Sequence, residues 1–256
     1  MGNKTKFKYD LNDNLIAVTD PLGNKTSSFY DSRDRLFRTA DAEGNITNYE
    51  YDAADNLIAT VDGNGHRTTY EYDELDRQVK QIDALGGESI IAYDQVGNVI
   101  ATTDQEERRT ELKYDSRDRL IQATNAAGDA ASFEYDDAGN LISTTDELDR
   151  TTSYDYDALN RQTKITDPLN HVTTSKYDAV GNLVSTTDAL GHSTRYEYDQ
   201  LNRPETVTNA LGDTVTSEYD AVGNVTAVTD ELGRKTKFTY DDRDLPTSIT
   251  DPLNQT

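Results

Sequence analysis

The stretch YDAVGNLVSTTDALGHSTRYEYD, Tyr177 to Asp199, begins and ends on the same Tyr-Asp pair, 21 residues apart. A spacing that is kept along a whole chain without insertion gives each repeat the same place in a physical lattice. The sequence therefore predicts one repeat array over residues 1–256, with no separate domain. The tyrosines of the twelve pairs are Tyr9, Tyr30, Tyr51, Tyr72, Tyr93, Tyr114, Tyr135, Tyr156, Tyr177, Tyr198, Tyr219 and Tyr240.

Each repeat contains two turn signals, which we locate by counting from its Tyr as position 0. Position +4 is always Asp, Asn or Gly, the residue types that best tolerate a left-handed backbone. Position +11 is always Asp or Asn, and Gly usually follows three residues later. In such a segment the Asp opens the turn and the Gly takes its left-handed corner. Representative residues of the second turn are Asp20, Asp62, Asp188, Gly23, Gly65 and Gly191.

The segments between the turns, such as KTSSFYD and LISTTD, are rich in Thr, Tyr and Ile and are too short for stable helices. They predict strands, so that each repeat is one β-hairpin. Along the approaching strand, Thr at −4, an aromatic residue at −2 and the Tyr share one face, and Leu or Val at +6 lies opposite the Tyr. The fold class is then all-β, a repeat array of twelve 21-residue hairpins. Open sheets rarely exceed about ten strands, so a meander of about 24 strands is expected to form a coiled antiparallel β-ribbon.

A second period of 42 residues runs through the first. Position +5 alternates between Asn and Arg, from Asn14 and Arg35 to Arg203 and Asn224. Position +8 alternates in step between small residues and mostly long or polar ones. An odd repeat also sends alternate tyrosines to opposite faces unless one bulge in each repeat restores a common face. The constant positions of Tyr, Leu and Thr favour the bulge, although both arrangements fit the sequence.

The pattern Y-D-x-x-G-N-L…T-D-x-x-G…T-x-Y-x-Y-D, carried by Tyr177 to Asp199, resembles the RHS or YD repeat of bacterial RHS proteins, insecticidal toxin-complex subunits and animal teneurins. The resemblance covers the whole chain. It implies a ribbon that spirals into a partial or complete YD shell, which in the bacterial toxins encloses a C-terminal toxic polypeptide. It also implies a secreted or cell-surface parent. Gly2 and Asn254 stand at the same turn phase, so we expect an excised array or a short array protein.

Composition argues against several classes of function. The formal net charge is −23, which disfavours binding to nucleic acid phosphates or anionic lipid. The chain lacks cysteine and any stretch of about eighteen apolar residues, so disulfides, thiolate sites and insertion into a membrane are not expected. The histidines, His66, His171 and His192, are expected to be exposed turn residues rather than zinc ligands. No cofactor or metal is predicted.

Two functional hypotheses remain. The aspartates repeat at turn positions, which favours a non-enzymatic structural module over a catalytic one. Its partners would be a passenger polypeptide or further repeats of a longer parent, and its terminal edge strands could also pair with another copy. The alternative is a surface that binds carbohydrate or protein through aromatic rows, because an aromatic ring offers apolar area beside a polar hydroxyl. The aromatics of that alternative are Tyr49, Tyr70, Tyr154 and Tyr196.

Several residues depart from the repeat pattern, among them the doubled glycine of DALGGES, Asp83 to Ser89. Glu107 and Asp149 replace a turn glycine, and Pro204, Leu245 and Pro246 interrupt return strands. Because proline removes a donor from the strand ladder, we expect local bulging or an edge at the prolines.

Overall fold

A computed structural model describes residues 4–255, and Gly2 therefore lies outside the described residues. These residues form twenty-four β-strands and no helix, which confirms the all-β hairpin array, and they contain no helix that could cross a membrane. The strands are β1 (Lys6–Tyr9), β2 (Leu15–Thr19), β3 (Lys25–Tyr30), β4 (Leu36–Ala40), β5 (Ile46–Tyr51), β6 (Leu57–Val61), β7 (Arg67–Tyr72), β8 (Gln78–Ile82), β9 (Glu88–Tyr93), β10 (Val99–Thr103), β11 (Arg109–Tyr114), β12 (Leu120–Thr124), β13 (Ala130–Tyr135), β14 (Leu141–Thr145), β15 (Thr151–Tyr156), β16 (Gln162–Thr166), β17 (Val172–Tyr177), β18 (Leu183–Thr187), β19 (Ser193–Tyr198), β20 (Pro204–Thr208), β21 (Thr214–Tyr219), β22 (Val225–Thr229), β23 (Lys235–Tyr240) and β24 (Pro246–Thr250).

The chain divides into two compact halves, Met1–Ala130 and Ala131–Thr256. In the N-terminal half, β1 to β12 form an antiparallel meander in which each strand pairs with the next along the chain. In the C-terminal half, β13 to β24 pair in the same way. Each 21-residue repeat thus contributes an approaching strand that ends at its Tyr and a return strand that begins at position +6.

Every hairpin that closes on a Tyr contains a bulge at one place. In β17 and β18, Lys176 pairs with Ser185 and Tyr177 pairs with Leu183, which leaves Val184 as an extra residue at position +7. The same shift recurs in the other hairpins of both halves, including the two shown by β5–β6 and β21–β22. One additional residue compensates for the odd repeat length, so the tyrosines keep a common face within each half. This confirms the bulge and excludes the alternating arrangement.

The register defines two faces. The tyrosine face carries positions −4, −2, 0, +6 and +9, and the charged face carries −5, −3, −1, +8 and +10. The bulged residue joins the charged face, because Thr239 Oγ1 at −1 lies 2.8 Å from Thr247 Oγ1 at +7 and 2.7 Å from Ser248 Oγ at +8. Thr, aromatic, Tyr and Leu positions therefore share one face, as the sequence predicts.

The buried hydrophobic residues among those described are four alanines at position +8, which are Ala17, Ala59, Ala101 and Ala227. Two of them lie beneath ion pairs on the charged face. Glu50 and Arg67 flank strand β6 and join across it through Nη1–Oε1 and Nη2–Oε2 contacts of 2.6 and 2.7 Å, beside Ala59. Glu218 and Lys235 join in the same way beside Ala227. A small residue at +8 gives these long side chains room to meet over the strand.

The two prolines keep the strand register of the other repeats. Pro204 and Pro246 each occupy the first position of a strand and pair with Tyr198 and Tyr240 in the same register that Leu or Val takes elsewhere. The first residue of a strand is a position where the missing proline donor is tolerated. The bulge expected at the prolines is present beside both Pro204 and Pro246, and β24 is also a terminal strand. The same bulge occurs where Leu57 takes the position, so proline is not its cause.

Candidate functional site

The two turns of each repeat are built in the same way. We call positions +1 to +5 the first corner and positions +11 to +15 the second corner. In the first corner that begins at Asp31, the amide of Asp34 donates to the Asp31 carbonyl at 3.1 Å, and the Asp31 amide donates to the Arg35 carbonyl at 2.9 Å. Asp31 Oδ1 also accepts from the amides of Arg33 and Arg35. This is a type I turn closed by a left-handed residue, with the Asp side chain accepting the amides that the turn leaves unpaired.

The second corners place the predicted Asp and Gly residues in this same geometry. Asp20, Asp62 and Asp188 each accept two backbone amides on Oδ1. Gly23, Gly65 and Gly191 have φ values of +93°, +84° and +84°. Where the glycine is replaced, Glu107 and Asp149 still adopt φ of 62° and 58°. The corner geometry thus persists and places both residues in a left-handed backbone, which Asp tolerates better than Glu.

Where a corner ends on arginine, that arginine forms an ion pair with the Asp that begins the corner. Arg119 donates to Asp115 Oδ2 through Nε at 2.7 Å and Nη2 at 2.6 Å. The Arg119 side chain, together with backbone amides, lowers the pKa of Asp115 to about 2. The side chain and the amide of Arg35 likewise lower the pKa of Asp31. These carboxylates accept hydrogen bonds within their own corners, and their lowered pKa makes them weak bases. A general acid or base needs a pKa near the working pH, so they are unsuited to that role near neutral pH.

The tyrosines form a hydrogen-bonded ladder within each half. Ten of the tyrosine hydroxyls donate to the backbone carbonyl at position +6 of the preceding repeat, over distances between 2.8 and 3.3 Å. The ring thus packs on the tyrosine face while its polar tip satisfies a main-chain acceptor. The ladder joins consecutive hairpins through Tyr30, Tyr51, Tyr72, Tyr93, Tyr114, Tyr156, Tyr177, Tyr198, Tyr219 and Tyr240.

Arginine at +5 explains one half of the 42-residue period. Its guanidinium stacks over the Tyr of the next repeat, with ring distances of 4.5 Å from Arg77 to Tyr93 and 4.7 Å from Arg161 to Tyr177. Nη1 of Arg77 also donates to the carbonyl of Asp94, which follows that Tyr, at 3.1 Å. The next repeat presents Gly97 at +4, where an added Cβ would lie 4.0 Å from Arg77 Nη1. The arginine therefore lies beside the +4 residue of the next repeat, which is Gly97 here and Asp55 in the case of Arg35.

Asparagine at +5 explains the other half of the period. Its side-chain amide donates to the oxygen of Asp or Asn at +4 of the next repeat, for example Asn56 to Asp76 at 2.8 Å and Asn182 to Asn202 at 2.9 Å. The shorter side chain does not reach over the next ring, so the +4 residue supplies the acceptor instead. The sequence revealed the alternation at +5, whereas the contacts between repeats that cause it were missed.

The four tyrosines of the alternative hypothesis, Tyr49, Tyr70, Tyr154 and Tyr196, are half-buried at position −2 of the tyrosine face. Tyr154 Oη lies 3.4 Å from Thr144 Oγ1 of the adjacent strand. Tyr49 and Tyr70 lie in consecutive repeats of the N-terminal half, and Tyr154 and Tyr196 lie in the C-terminal half. Their role in binding stays a prediction.

The histidines lie in exposed second corners. His66, His171 and His192 each place Nδ1 within 2.8 to 3.0 Å of the corner Asp, the position that Arg or Asn takes elsewhere. Among residues 4–255, no group of three or more His, Cys, Asp or Glu side chains is placed to hold a metal ion. The corner contacts account for the histidine positions.

Comparison with known proteins identifies the repeat. The family model of the RHS repeat matches residues 9–46, 30–67, 51–88, 93–130, 135–172, 177–214 and 219–256. The chain belongs to the RHS repeat family. Each match spans two consecutive Tyr-Asp pairs, as the 42-residue period requires. A search of curated protein sequences gives no match.

Solved structures with a similar fold include a crystal structure of TcdB2-TccC3-TEV, which is 16% identical over 98% of this RHS-repeat chain with a TM-score of 0.66. A crystal structure of TcdB2-TccC3 is 16% identical over 97% of the chain, covers 20% of its own chain and has a TM-score of 0.42. The Photorhabdus luminescens Tc holotoxin pore is 14% identical over 97% of the chain, with 19% of its own chain covered and a TM-score of 0.42. The chain spans 16% of the length of the TcdB2-TccC3-TEV chain, and this likeness shows the fold alone.

Proposed function

We propose that this RHS-repeat array is a non-enzymatic segment of a shell wall, which together with further repeats encloses or shields a passenger polypeptide. The observation that supports the proposal is that the polar side chains of repeat after repeat form hydrogen bonds within the array itself. The corner carboxylates accept neighbouring amides, and the tyrosine hydroxyls donate to main-chain carbonyls. A chain whose polar side chains are used in this way is suited to a passive wall.

Family membership supports the same role. The RHS repeat model matches through most of the chain, and the fold is that of a segment of TcdB2-TccC3-TEV. A shell wall also needs repeats that can be added one after another in the same arrangement. Within each half, each repeat contacts the next through the Tyr ladder and the +5 contacts, so that further repeats can continue the lattice. We propose on this basis that residues 1–256 act as one array, and that the parent protein is secreted.

Protection of a fused passenger tests the proposal. A protease-sensitive, unstructured polypeptide is joined to the C-terminus of the chain, and its cleavage rate by a non-specific protease is compared with that of the same polypeptide fused to an unrelated β-protein. We expect slower cleavage of the passenger on the RHS-repeat chain. Equal cleavage rates in the two fusions, with the array itself intact, would contradict shielding by these repeats.

A further inference from the structure

One cavity lies on the charged face of the N-terminal half. It has a volume of about 450 Å³ and opens over strands β1 to β4 in the N-terminal half. Buried Ala17 lies at its floor, 6% exposed. Lys8 and Lys25 also border it. The remaining lining residues are Asp10, Ile16, Ser27, Ser28, Phe29, Tyr30 and Phe37.

The register shows what is different there. Lys8 at −1 pairs with Ala17, and Lys25 at −5 of the next repeat pairs with Thr19. These are the positions that Glu50 and Arg67 hold around Ala59, and that Glu218 and Lys235 hold around Ala227. At both of those places a carboxylate and a cation meet across the strand.

Around Ala17 both positions are cationic. Neither Lys8 nor Lys25 forms an ion pair within the described part of the chain. A third cation, Arg38, stacks over the ring of Phe29 at 5.7 Å, and its buried Nε has no hydrogen-bond partner among the described residues. The carboxylate that lies beside Ala59 and beside Ala227 is thus missing beside Ala17, on a chain whose overall charge is −23.

The cavity wall is apolar on the side of β3 and β4. Phe29 and Phe37 lie 6.5 Å apart between ring centroids, and their side chains are 43% and 40% exposed. Ile16 lines the same cavity. Desolvation is the largest single influence on the bordering Asp10 and raises its pKa, but hydrogen bonds from Asn14 and Asn12 together outweigh it and lower the pKa. The site thus combines two free ammonium groups with an aromatic wall.

We propose that this cavity binds an aryl-alkyl carboxylate, whose carboxylate bridges Lys8 and Lys25 and whose ring packs on Phe29 and Phe37. The carboxylate supplies the charge that Glu50 and Glu218 supply at the two complete positions. Charge-assisted hydrogen bonds to ammonium groups and aromatic packing are the two attractions that this arrangement offers. Such a group can come from a free acid or from a Phe-Glu segment of a polypeptide.

Backbone amide NMR shifts of the full chain test this, with 3-phenylpropionate as the first titrant and N-acetyl-Phe-Glu-amide as the second. We expect saturable shifts at Ala17, Ser27 and Phe29, and none at Ala59 or Ala227, which serve as internal controls. Whichever titrant binds more tightly identifies the source. Neutral 3-phenylpropanamide separates carboxylate recognition from apolar binding, and we expect it to bind roughly tenfold more weakly or not at all, as when a charged hydrogen-bond partner is removed.

The variant Lys8→Glu gives the sharpest test, because it reproduces the Glu218, Ala227 and Lys235 combination around Ala17. We expect it to fold and to bind 3-phenylpropionate at least about tenfold more weakly, since its own carboxylate then occupies Lys25. If Lys8→Glu does not fold, Lys25→Gln serves in its place, with the same expected loss. Equal affinity for the acid and the amide, unchanged affinity in the folded variant, or no saturable shift with either titrant would overturn the proposal.

Discussion

The guanidinium of Arg203 lies 4.5 Å from the ring centroid of Tyr219 in the next repeat, while its Nε donates to Asp199 at 2.6 Å in its own. Its Nη1 donates further to the carbonyl of Asp220 at 2.9 Å. One side chain thus joins a corner, the next tyrosine and the next corner. This contact between repeats makes the array cooperative, because a hairpin alone would have no ring or carbonyl to offer the arginine.

Replacing Arg203 by Lys tests this contact. Lysine keeps the charge but cannot donate to Asp199 and Asp220 while lying flat on the ring, so we expect the free energy of unfolding to fall by about 1 kcal/mol. Urea denaturation followed by circular dichroism measures the change. Arg234→Lys is the matched control, because Arg234 pairs with Asp230 in a second corner and is 60% exposed. An equal loss in both variants would show that the stacking contributes nothing.

The tyrosine ladder gives a second prediction. Tyr177→Phe removes the hydroxyl that donates to the Gln162 carbonyl at 3.0 Å and leaves the ring in place. We expect a loss of about 1 kcal/mol in the free energy of unfolding, the usual net value of one hydrogen bond. Tyr9→Phe is the control, because Tyr9 is 54% exposed and its hydroxyl has no partner within residues 4–255. A neutral Tyr177→Phe would mean that water replaces the ladder bond at no cost.

Much of this fold could be predicted from the sequence, because the corner residues are dictated by local backbone chemistry. Asp at +11 and Gly at +14 are sufficient to predict a turn without knowledge of any distant contact. The odd repeat length of 21 residues suggested that one bulge per repeat would keep the tyrosines on a common face. The place of that bulge at +7 depends on strand register, which the sequence does not give. The +5 contacts were out of reach for the same reason, since Arg77 and Tyr93 meet only once that register is known. Bulging at the prolines could be expected from the sequence, but that the same bulge occurs in every such hairpin becomes visible only in the pairing of Pro204 and Leu57 with their tyrosines.

The cationic cavity, in contrast, could have been found from the sequence. Lys8 and Lys25 stand at the offsets where Glu218 and Lys235 stand two hundred and ten residues later, and an alignment of the repeats displays the missing carboxylate. The significance of these two lysines depends on the ion pairs that form at the equivalent positions beside Ala59 and Ala227, and those pairs are visible only in the structure. In a repeat protein, the informative position is one where a conserved contact between repeats loses one partner.

Acid should weaken the corners. The pKa of Asp115 is lowered to about 2 in the folded chain by its hydrogen bonds to Arg119, against about 3.9 when unfolded. A lowered folded pKa stabilises the protein above the unfolded value, and that contribution disappears as pH falls from about 4 to about 2. Asp115→Asn should therefore lower the melting temperature at pH 7, and the difference from the unsubstituted chain should shrink over that range. Glu147→Gln, at an exposed corner tip, is the control. A difference that stays constant between pH 4 and pH 2 would contradict the role of this carboxylate.

The left-handed corner at Glu107 predicts a stabilising substitution. Its φ of 62° is disfavoured for a residue with a Cβ, and the equivalent position in most repeats is Gly. We expect Glu107→Gly to raise the free energy of unfolding by about 0.5–1 kcal/mol, since the relief of strain exceeds the entropy that glycine adds to the unfolded chain. Gly128→Ala is the reciprocal control. Its φ is +93° and an added Cβ meets nothing within 4 Å, so any loss reports backbone conformation alone. A destabilised Glu107→Gly would show that the glutamate side chain offsets the strain.

Terminal strands β1 and β24 predict head-to-tail self-association. Each pairs with one neighbour among the described strands, β2 and β23, and so leaves a row of main-chain groups open. Two β1 strands repel each other through Lys6 and Lys8, whereas β1 of one copy against β24 of another continues the meander. We expect the mass from light scattering to rise with protein concentration, and Ile249→Pro to reduce the rise by removing a donor from β24. A monomer at all concentrations, or an Ile249→Pro variant that associates as strongly, would show that these edges are not used.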